Sequence, residues 1–304
     1  MRKMSRGRPT AREILLGPAA CGTRDRLDLE EEFYARLWLP NGLTKHTSAH
    51  RLDDINRCLL ECIRGLWPDE LLLGLDAAVS SGITTIELAE ALRQEGRQFK
   101  IIGTDACIEG TLVSYGGQFH ILCDGKGRAL QFELFGSAIG NYAGTGFNFV
   151  RRCVPVFFSR ALLWLLKRPS VRGIAVPSVK PTRLLTKRWR QEPDVKFVEE
   201  DLFAAPTSRG RFHIVRACNV LNPRVFSRDQ LICAMENLGS QLKPGGFMIV
   251  GRTNDDGTNH GACYELQNDG TFQRASSFGE GCEVESVLLG VNCLQLSSEP
   301  CSRP

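Results

Sequence analysis

The stretch LLLGLDAAVSSGITTIELAEALRQEGRQFKIIGTD (71–105) limits the fold more than any other part of this chain. An apolar run, LLLGLDAA, passes through small residues into ITTIELAEALRQ, whose apolar positions recur at helical spacing. Gly96 supplies a stop, and a second apolar run, FKIIGTD (99–105), follows. Strand, helix and strand in that order predict two parallel strands joined by a right-handed crossover, the unit of an α/β sheet.

The alternation resumes later. DVKFVEEDLF (194–203), RFHIVRACNVLN (211–222) and KPGGFMIVGRT (243–253) read as strands, and SRDQLICAMENLGSQL (227–242) as a helix opened by Ser227. ACYELQNDGTFQRASSF reads as a hairpin through Asp269-Gly270, and VESVLLGVN as a last strand. Upstream, residues 1–24 read as a disordered basic tail and 25–70 as a helical N-terminal cap with helices over 28–37 and 52–66. Residues 71–304 form the main domain, with an insertion at about 106–172. In the insertion, QFHILC-DGKG-RALQFELF predicts a hairpin turning at Asp124-Gly125, GSAIGNYAGTG a flexible lid or linker, and PVFFSRALLWLLKR (155–168) an apolar helix. GIAVPSV and PTRLLTKRWRQ then read as a strand and a helix.

Composition narrows the function classes. Twelve cysteines are scattered with no C-x-x-C pair, which argues against zinc ribbons and thioredoxin-type chemistry. His46 and His50 stand at i, i+4 in HTSAH, but no Glu follows the first, so no metal site is expected. No apolar run reaches membrane-spanning length, and the apolar part of the N-terminus is too short for a signal-peptide core, so a cytoplasmic protein is expected. The net charge of +4 is uneven: residues 151–196 hold twelve basic and two acidic side chains. Around PVFFSRALLWLLKR this suggests peripheral contact of 151–190 with an anionic membrane surface, and makes nucleic acid a poorer fit. The alternative is that this apolar face packs against the sheet or lids its cleft.

Five features in order give the chain a resemblance. D-A-A-V-S-S-G (76–82), the strand-end acid Asp105, E-E-D-L-F (199–203), L-K-P-G-G (242–246) and the closing hairpin together resemble a class I S-adenosylmethionine-dependent methyltransferase over roughly 71–291. The resemblance implies a Rossmann-like, seven-stranded, mostly parallel sheet with an antiparallel last strand. To this the sequence adds an N-terminal helical extension and an inserted hairpin-plus-helix subdomain. It implies S-adenosylmethionine as cofactor and a methyltransferase activity.

The resemblance also implies cofactor-binding residues: Asp76, Ala78, Ser80 and Gly82 in the first loop, Asp105 on the ribose hydroxyls, Asp201 and Leu202 at the adenine, and Asn219. Ala78 and Ser80 stand where the family has glycine. They are tolerable at negative φ and strained at positive φ. RACNVLN loosely resembles the C-R-N-V-L stretch of chemotaxis-receptor methyltransferases, with Cys218 at the arginine position, and no N-P-P-Y is present. The acceptor is therefore open, with a small-molecule or lipid-like substrate expected and His46 and Asn222 as its weak candidate contacts. His46, Asp124 and His213 are the candidate bases, His213 reading better as structural. Two other readings stay open: a catalytically inactive methyltransferase-fold binding protein, and an NAD-dependent oxidoreductase, for which the loop lacks G-x-G-x-x-G.

Overall fold

The computed structural model describes residues 9–17, 24–37, 39, 44, 45, 47–115, 117–140 and 177–293. The chain divides into two compact units, one built from residues 1–47 and 107–187, the other from 48–106 and 188–304. Residues 25–70 are thus shared: helix α1 (Arg24–Ala35) belongs to the first unit and α2 (Asp53–Cys62) to the second.

The second unit carries the alternation. Its strands are β1 (Leu72–Ala77), β2 (Phe99–Asp105), β8 (Val195–Glu199), β9 (Phe212–Cys218), β10 (Leu242–Thr253), β11 (Asn259–Leu266) and β12 (Phe272–Phe278). They form one sheet in the order β12-β11-β10-β9-β1-β2-β8. The first five in chain order run parallel, and the closing strands β11 and β12 pair antiparallel through the predicted Asp269-Gly270 turn. The expected Rossmann-like, mostly parallel sheet of seven strands is present. The middle strands β1, β9 and β10 bury residues on both faces of the sheet, and on one face Leu75, Val215, Met248 and Val250 join a core cluster with Met235 and Leu238.

Helix α3 (Ile83–Gln94) joins β1 to β2, as the sequence predicts. Helix α4 (Arg228–Gly239) opens on a capping box, with Ser227 accepting from the Gln230 amide and the Gln230 side chain accepting from the Ser227 amide. VESVLLGVN is not a strand. It forms a four-residue helix, α5 (Glu285–Leu288), with Val284, Val287, Leu288 and Val291 buried, a spacing of i, i+3, i+4, i+7 that belongs to a helical face.

The first unit holds a five-stranded antiparallel sheet, β6-β5-β4-β3-β7. Its strands are β3 (Glu109–Tyr115), β4 (Phe119–Asp124), β5 (Ala129–Leu134), β6 (Ser137–Gly140) and β7 (Ser178–Arg183). The β4–β5 hairpin turns at Asp124 as predicted, the Asp124 carboxylate accepting from the Lys126 and Arg128 amides and pairing Arg128 at 2.7 Å. That work makes Asp124 a turn residue, not a base. The hairpin grows into a sheet because Ser137–Gly140, read as loop, pairs with β5, and PTR of the supposed helix pairs with β3 as an edge strand. An edge is where Pro181 fits, since it cannot donate a ladder hydrogen bond. A 3-10 turn (Lys187–Gln191) follows. Residues 155–168 and most of the glycine-rich loop lie outside the described residues. So does His46.

Part of the supposed disordered tail is ordered. Arg12–Leu16 forms a short π-helical turn whose Ile14 and Leu15 bury against Phe33, Tyr34, Leu112, Leu122 and Leu130. The Ala11 amide donates to Gln131 Oε1 at 2.7 Å. Burial of five of these nine residues, Pro9, Thr10, Ala11, Ile14 and Leu15, outweighs the basic composition that suggests disorder.

Candidate functional site

In open α/β sheets a ligand sits beyond the carboxyl ends of the strands, at the point where strand order reverses. Here that point lies between β1 and β9, which pair in parallel from Gly74–Ile214 to Ala77–Ala217. The loop after β1 and the segment after β9 therefore flank the crevice.

The β1–α3 loop has an unusual backbone. Ala78, Ser80 and Gly82 lie at φ 56°, 59° and 79°, all left-handed. Only the last is a glycine. For an L-residue this region costs about 1–2 kcal/mol each. The loop is held there by a short set of bonds: Val79 N–H to the Thr104 carbonyl at 3.0 Å, Gly82 N–H to the Val79 carbonyl at 2.8 Å, and Ser80 N–H to Asp105 Oδ2 at 2.8 Å. The last is a charge-assisted bond of about 1.5–3 kcal/mol. Gly103 on β2 admits the loop closely, since a Cβ there would stand 3.1 Å from Val79 and 2.7 Å from the Phe197 ring. Gly82 then leads into α3, presenting the helix N-terminus and its positive dipole end at the crevice.

Asp76 takes a different role from the one expected. It is 3% exposed and pairs with Arg216, 1% exposed, through Nε to Oδ1 at 2.9 Å and Nη2 to Oδ2 at 2.6 Å. Thr85 Oγ1 donates to Oδ2 at 2.6 Å, and Arg216 Nη1 donates to Asn56 Oδ1 at 2.6 Å. Burial works against the guanidinium charge, but the Asp76 carboxylate outweighs it and the Arg216 pKa is raised. Asp76 thus fastens β1 to β9 and α3 beneath the loop, with both carboxylate oxygens engaged within the chain. Sequence reasoning named Asp76 but did not pair it with Arg216, and missed Asn56, which lies in a helix with no motif to mark it.

Asp105 ends β2 beside the loop and is half-buried. Asp201 forms a turn: its Oδ1 accepts from the Phe203 amide at 3.0 Å and its carbonyl from Ala204 at 2.9 Å. A cavity of about 20 Å³ lined by Asp201, Leu202, Thr104 and Asn237 is water-sized and does not admit a purine ring. Leu202 packs on the core, its carbonyl accepting from Asn237 Nδ2 at 3.1 Å.

Asn219 occupies a left-handed position, φ 60°, at the end of β9. Its side chain accepts from the Thr253 amide at 2.8 Å and donates to Thr253 Oγ1 at 3.2 Å, tying the segment to β10 while the residue stays exposed. Asn222 caps a turn through the Arg224 amide at 2.9 Å and meets Arg252 Nη1 at 3.4 Å. Burial pushes the Cys218 thiol up to about 12. His213 lies at the opposite, amino end of the sheet. Its Nδ1 accepts from the Leu73 amide at 3.0 Å and Nε2 faces Glu70 at 3.3 Å, a structural arrangement.

Among the described residues no group of His, Cys, Asp or Glu is arranged to hold a metal ion, and no helix is long and apolar enough to cross a membrane. Of the basic segment 151–190, residues 177–190 are described: Arg183 pairs with Glu109, Arg188 with Glu90, and Lys187 bonds the Gly17 carbonyl.

No family model matches the chain, and no curated protein does. Among solved structures, the chain is similar to the citrinin polyketide synthase CMeT domain at 14% identity and a TM-score of 0.38, over 77% of this chain and 41% of that one. DszA carbon methyltransferase gives 15% and 0.35, over 77% and 41%. The trans-methyltransferase CalH in complex with SAH gives 17% and 0.32, over 75% and 40%. The chain thus spans about two fifths of the length of these neighbours. Its fold is assigned from its own strand order and connections.

Proposed function

We propose that the chain binds S-adenosylmethionine at the β1–β9 crevice and acts as a methyltransferase on a small-molecule or lipid-like acceptor. The observation that carries this reading is the β1–α3 loop. It keeps left-handed backbone at three alternate positions although two of them are not glycine. Strain of this kind persists where surrounding contacts over-determine it, and it concentrates at ligand sites. The sixth strand, β11, also runs antiparallel, where a doubly wound dinucleotide fold has a parallel one, which favours this reading over an NAD-dependent oxidoreductase.

The residues present fit such a cofactor in part. The α3 N-terminus would take its carboxylate, and Asp105 its ribose hydroxyls. Asp76 would not touch it. The bound cofactor would supply an activated methyl on a sulfonium, so this chain's work is to align the acceptor and exclude water. A base is needed only for an acceptor that must lose a proton.

The test is a thermal shift with S-adenosylhomocysteine against NAD. At about 100 times its dissociation constant a ligand adds ~2.7 kcal/mol. That is a rise of several degrees at roughly 2–4 °C per kcal/mol. Stabilisation by NAD alone would replace this reading with the oxidoreductase. In calorimetry, Asp105→Ala should weaken S-adenosylhomocysteine roughly 10- to 150-fold, the worth of a hydrogen bond to a charged group. Unchanged affinity in a folded variant would take Asp105 out of the site. Binding without turnover of any acceptor would favour the inactive binding protein.

A further inference from the structure

The first unit contains a cavity of about 430 Å³, within the size range of small-molecule sites. It is lined by Thr10, Arg12, Glu13, Leu16, Gly17, Glu133 and Gly136. At its wall stands Glu133 on β5, whose side chain is 2% exposed. Neither carboxylate oxygen has a hydrogen-bond partner among the described residues. The nearest cation, Arg12, stops at 3.4 Å from Oε1 without closing a hydrogen bond, and its own side chain is half exposed.

A carboxylate removed from water needs donors, and leaving it without them is expensive. Its neighbours on the sheet do not supply them. Gln131, two residues before on the same strand, spends its amide on Ala11 N–H and the Pro9 carbonyl. His120, directly opposite on β4, spends Nδ1 on Ser114 Oγ at 2.7 Å and Nε2 on the Gly117 carbonyl at 3.2 Å. Among the described residues the donor is therefore missing at the side where the cavity lies. The lining carries two carboxylates, Glu13 and Glu133, against one guanidinium, so a cation is favoured there. Thr10 Oγ1 already accepts from the Glu13 amide, which fixes the turn that shapes one wall.

The wall at Gly136 is also built in an unusual way. The β5–β6 connection places Phe135 at φ 50° and Gly136 at φ 74°, the two-residue turn geometry that Asn-Gly or Gly-Gly normally provides. Here an aromatic residue takes the strained first position and stands 74% exposed, next to the lining glycine. An exposed ring beside a carboxylate-bearing cavity suits an organic cation with an aliphatic stem.

We infer that this cavity binds a small primary alkylammonium ligand, whose N–H groups satisfy the buried Glu133 carboxylate while its stem lies along Leu16 and Gly136. The described residues that line the site all belong to the first unit, and the inference does not depend on the proposed cofactor site.

The test is a titration of the full chain with 1-aminohexane, using 1-hexanol as the neutral isostere and hexanoate as the anion. Calorimetry reads affinity, and amide NMR shifts locate the site. Saturable one-to-one binding of the amine is expected, with shifts at Leu16, Gly17 and Gly136 and none of comparable size with 1-hexanol or hexanoate. Glu133→Gln, which keeps the shape, should weaken the amine at least about tenfold, the loss of a charge-assisted pair. Equal binding of amine and alcohol would overturn the inference, as would shifts elsewhere or an affinity unchanged in Glu133→Gln. So would no amine binding at tens of millimolar, which would leave Arg12 as the partner of Glu133 among the described residues. Should Glu133→Gln fail to fold, the amine–alcohol contrast and the shift positions in the unmodified chain still decide.

Discussion

Replacing Ala78 and Ser80 by glycine should stabilise the protein, against the usual effect of glycine. At φ 56° and 59° each L-residue carries about 1–2 kcal/mol of left-handed strain in the folded state. Glycine removes it. Glycine also frees the unfolded chain, which works the other way by about 0.4–1 kcal/mol. The net is a gain of roughly 0.5–1 kcal/mol per site, and about 1–2 kcal/mol for the pair if the two sites act independently. For a unit of this size that is a rise in melting temperature of several degrees, at about 2–4 °C per kcal/mol. Urea unfolding checks it: the midpoint should rise with the slope unchanged. Ala77→Gly is the control, one residue earlier, in the strand at negative φ, and it should destabilise by at least about 0.5–1 kcal/mol. Ala78→Val should be worse than wild type, since a branched side chain in the left-handed region is a true outlier. If Ala78→Gly and Ser80→Gly destabilise as Ala77→Gly does, the loop does not hold this backbone in solution, and the argument built on its strain fails.

Asp76→Ala should destabilise by about 3–5 kcal/mol, because it leaves Arg216 buried without its counter-charge, and the double change Asp76→Leu with Arg216→Met should recover most of that. A stable Asp76→Ala that only loses ligand affinity would return Asp76 to the binding site. Burial depresses His213 below the ordinary histidine value, more than its bond to Glu70 raises it. The unfolded chain therefore takes up the proton first, so its stabilising contribution is complete above about pH 6.5 and is lost as pH falls toward the folded-state value. His213→Phe should flatten that part of the stability–pH curve, and identical slopes in the two proteins would refute the role.

The second unit was legible because its pattern is redundant. ITTIELAEALRQ and FKIIGTD match α3 and β2 residue for residue, since Gly82, Gly96 and the change of period each mark the same boundaries. The first unit was legible only where turn chemistry was explicit, as in Asp124-Gly-Lys-Gly. Pairings such as β7 with β3 join segments some seventy residues apart, and nothing local in PTRLL announces them. VESVLLGVN misled because a run of branched residues suggests a strand, while the buried positions follow a helical period. At the site, position in the fold could be read and bonding partners could not. Asp76, Asp201, Asn219 and Asn222 all fall near the crevice. Yet each carboxylate or amide has partners within the chain, supplied by Arg216, by the Phe203 amide, by Thr253 and by the Arg224 amide.

Those internal partners bear on whether the loop is a working site or a remnant. A remnant has no reason to retain strain: with no ligand to approach, Ala78 and Ser80 could relax to negative φ and recover about 1–2 kcal/mol each. The structure instead brings β2 close, through Gly103, and uses the Asp105 carboxylate to hold the Ser80 amide. Beneath, Asp76 and Arg216 neutralise each other, so this pair adds no net charge to the floor of the crevice. What remains at the mouth is the positive end of α3 on one side and Asp105 on the other. That polarity suits a ligand with an anionic group at the helix end and donors at the acid, and the strained loop is the element that sets the distance between them.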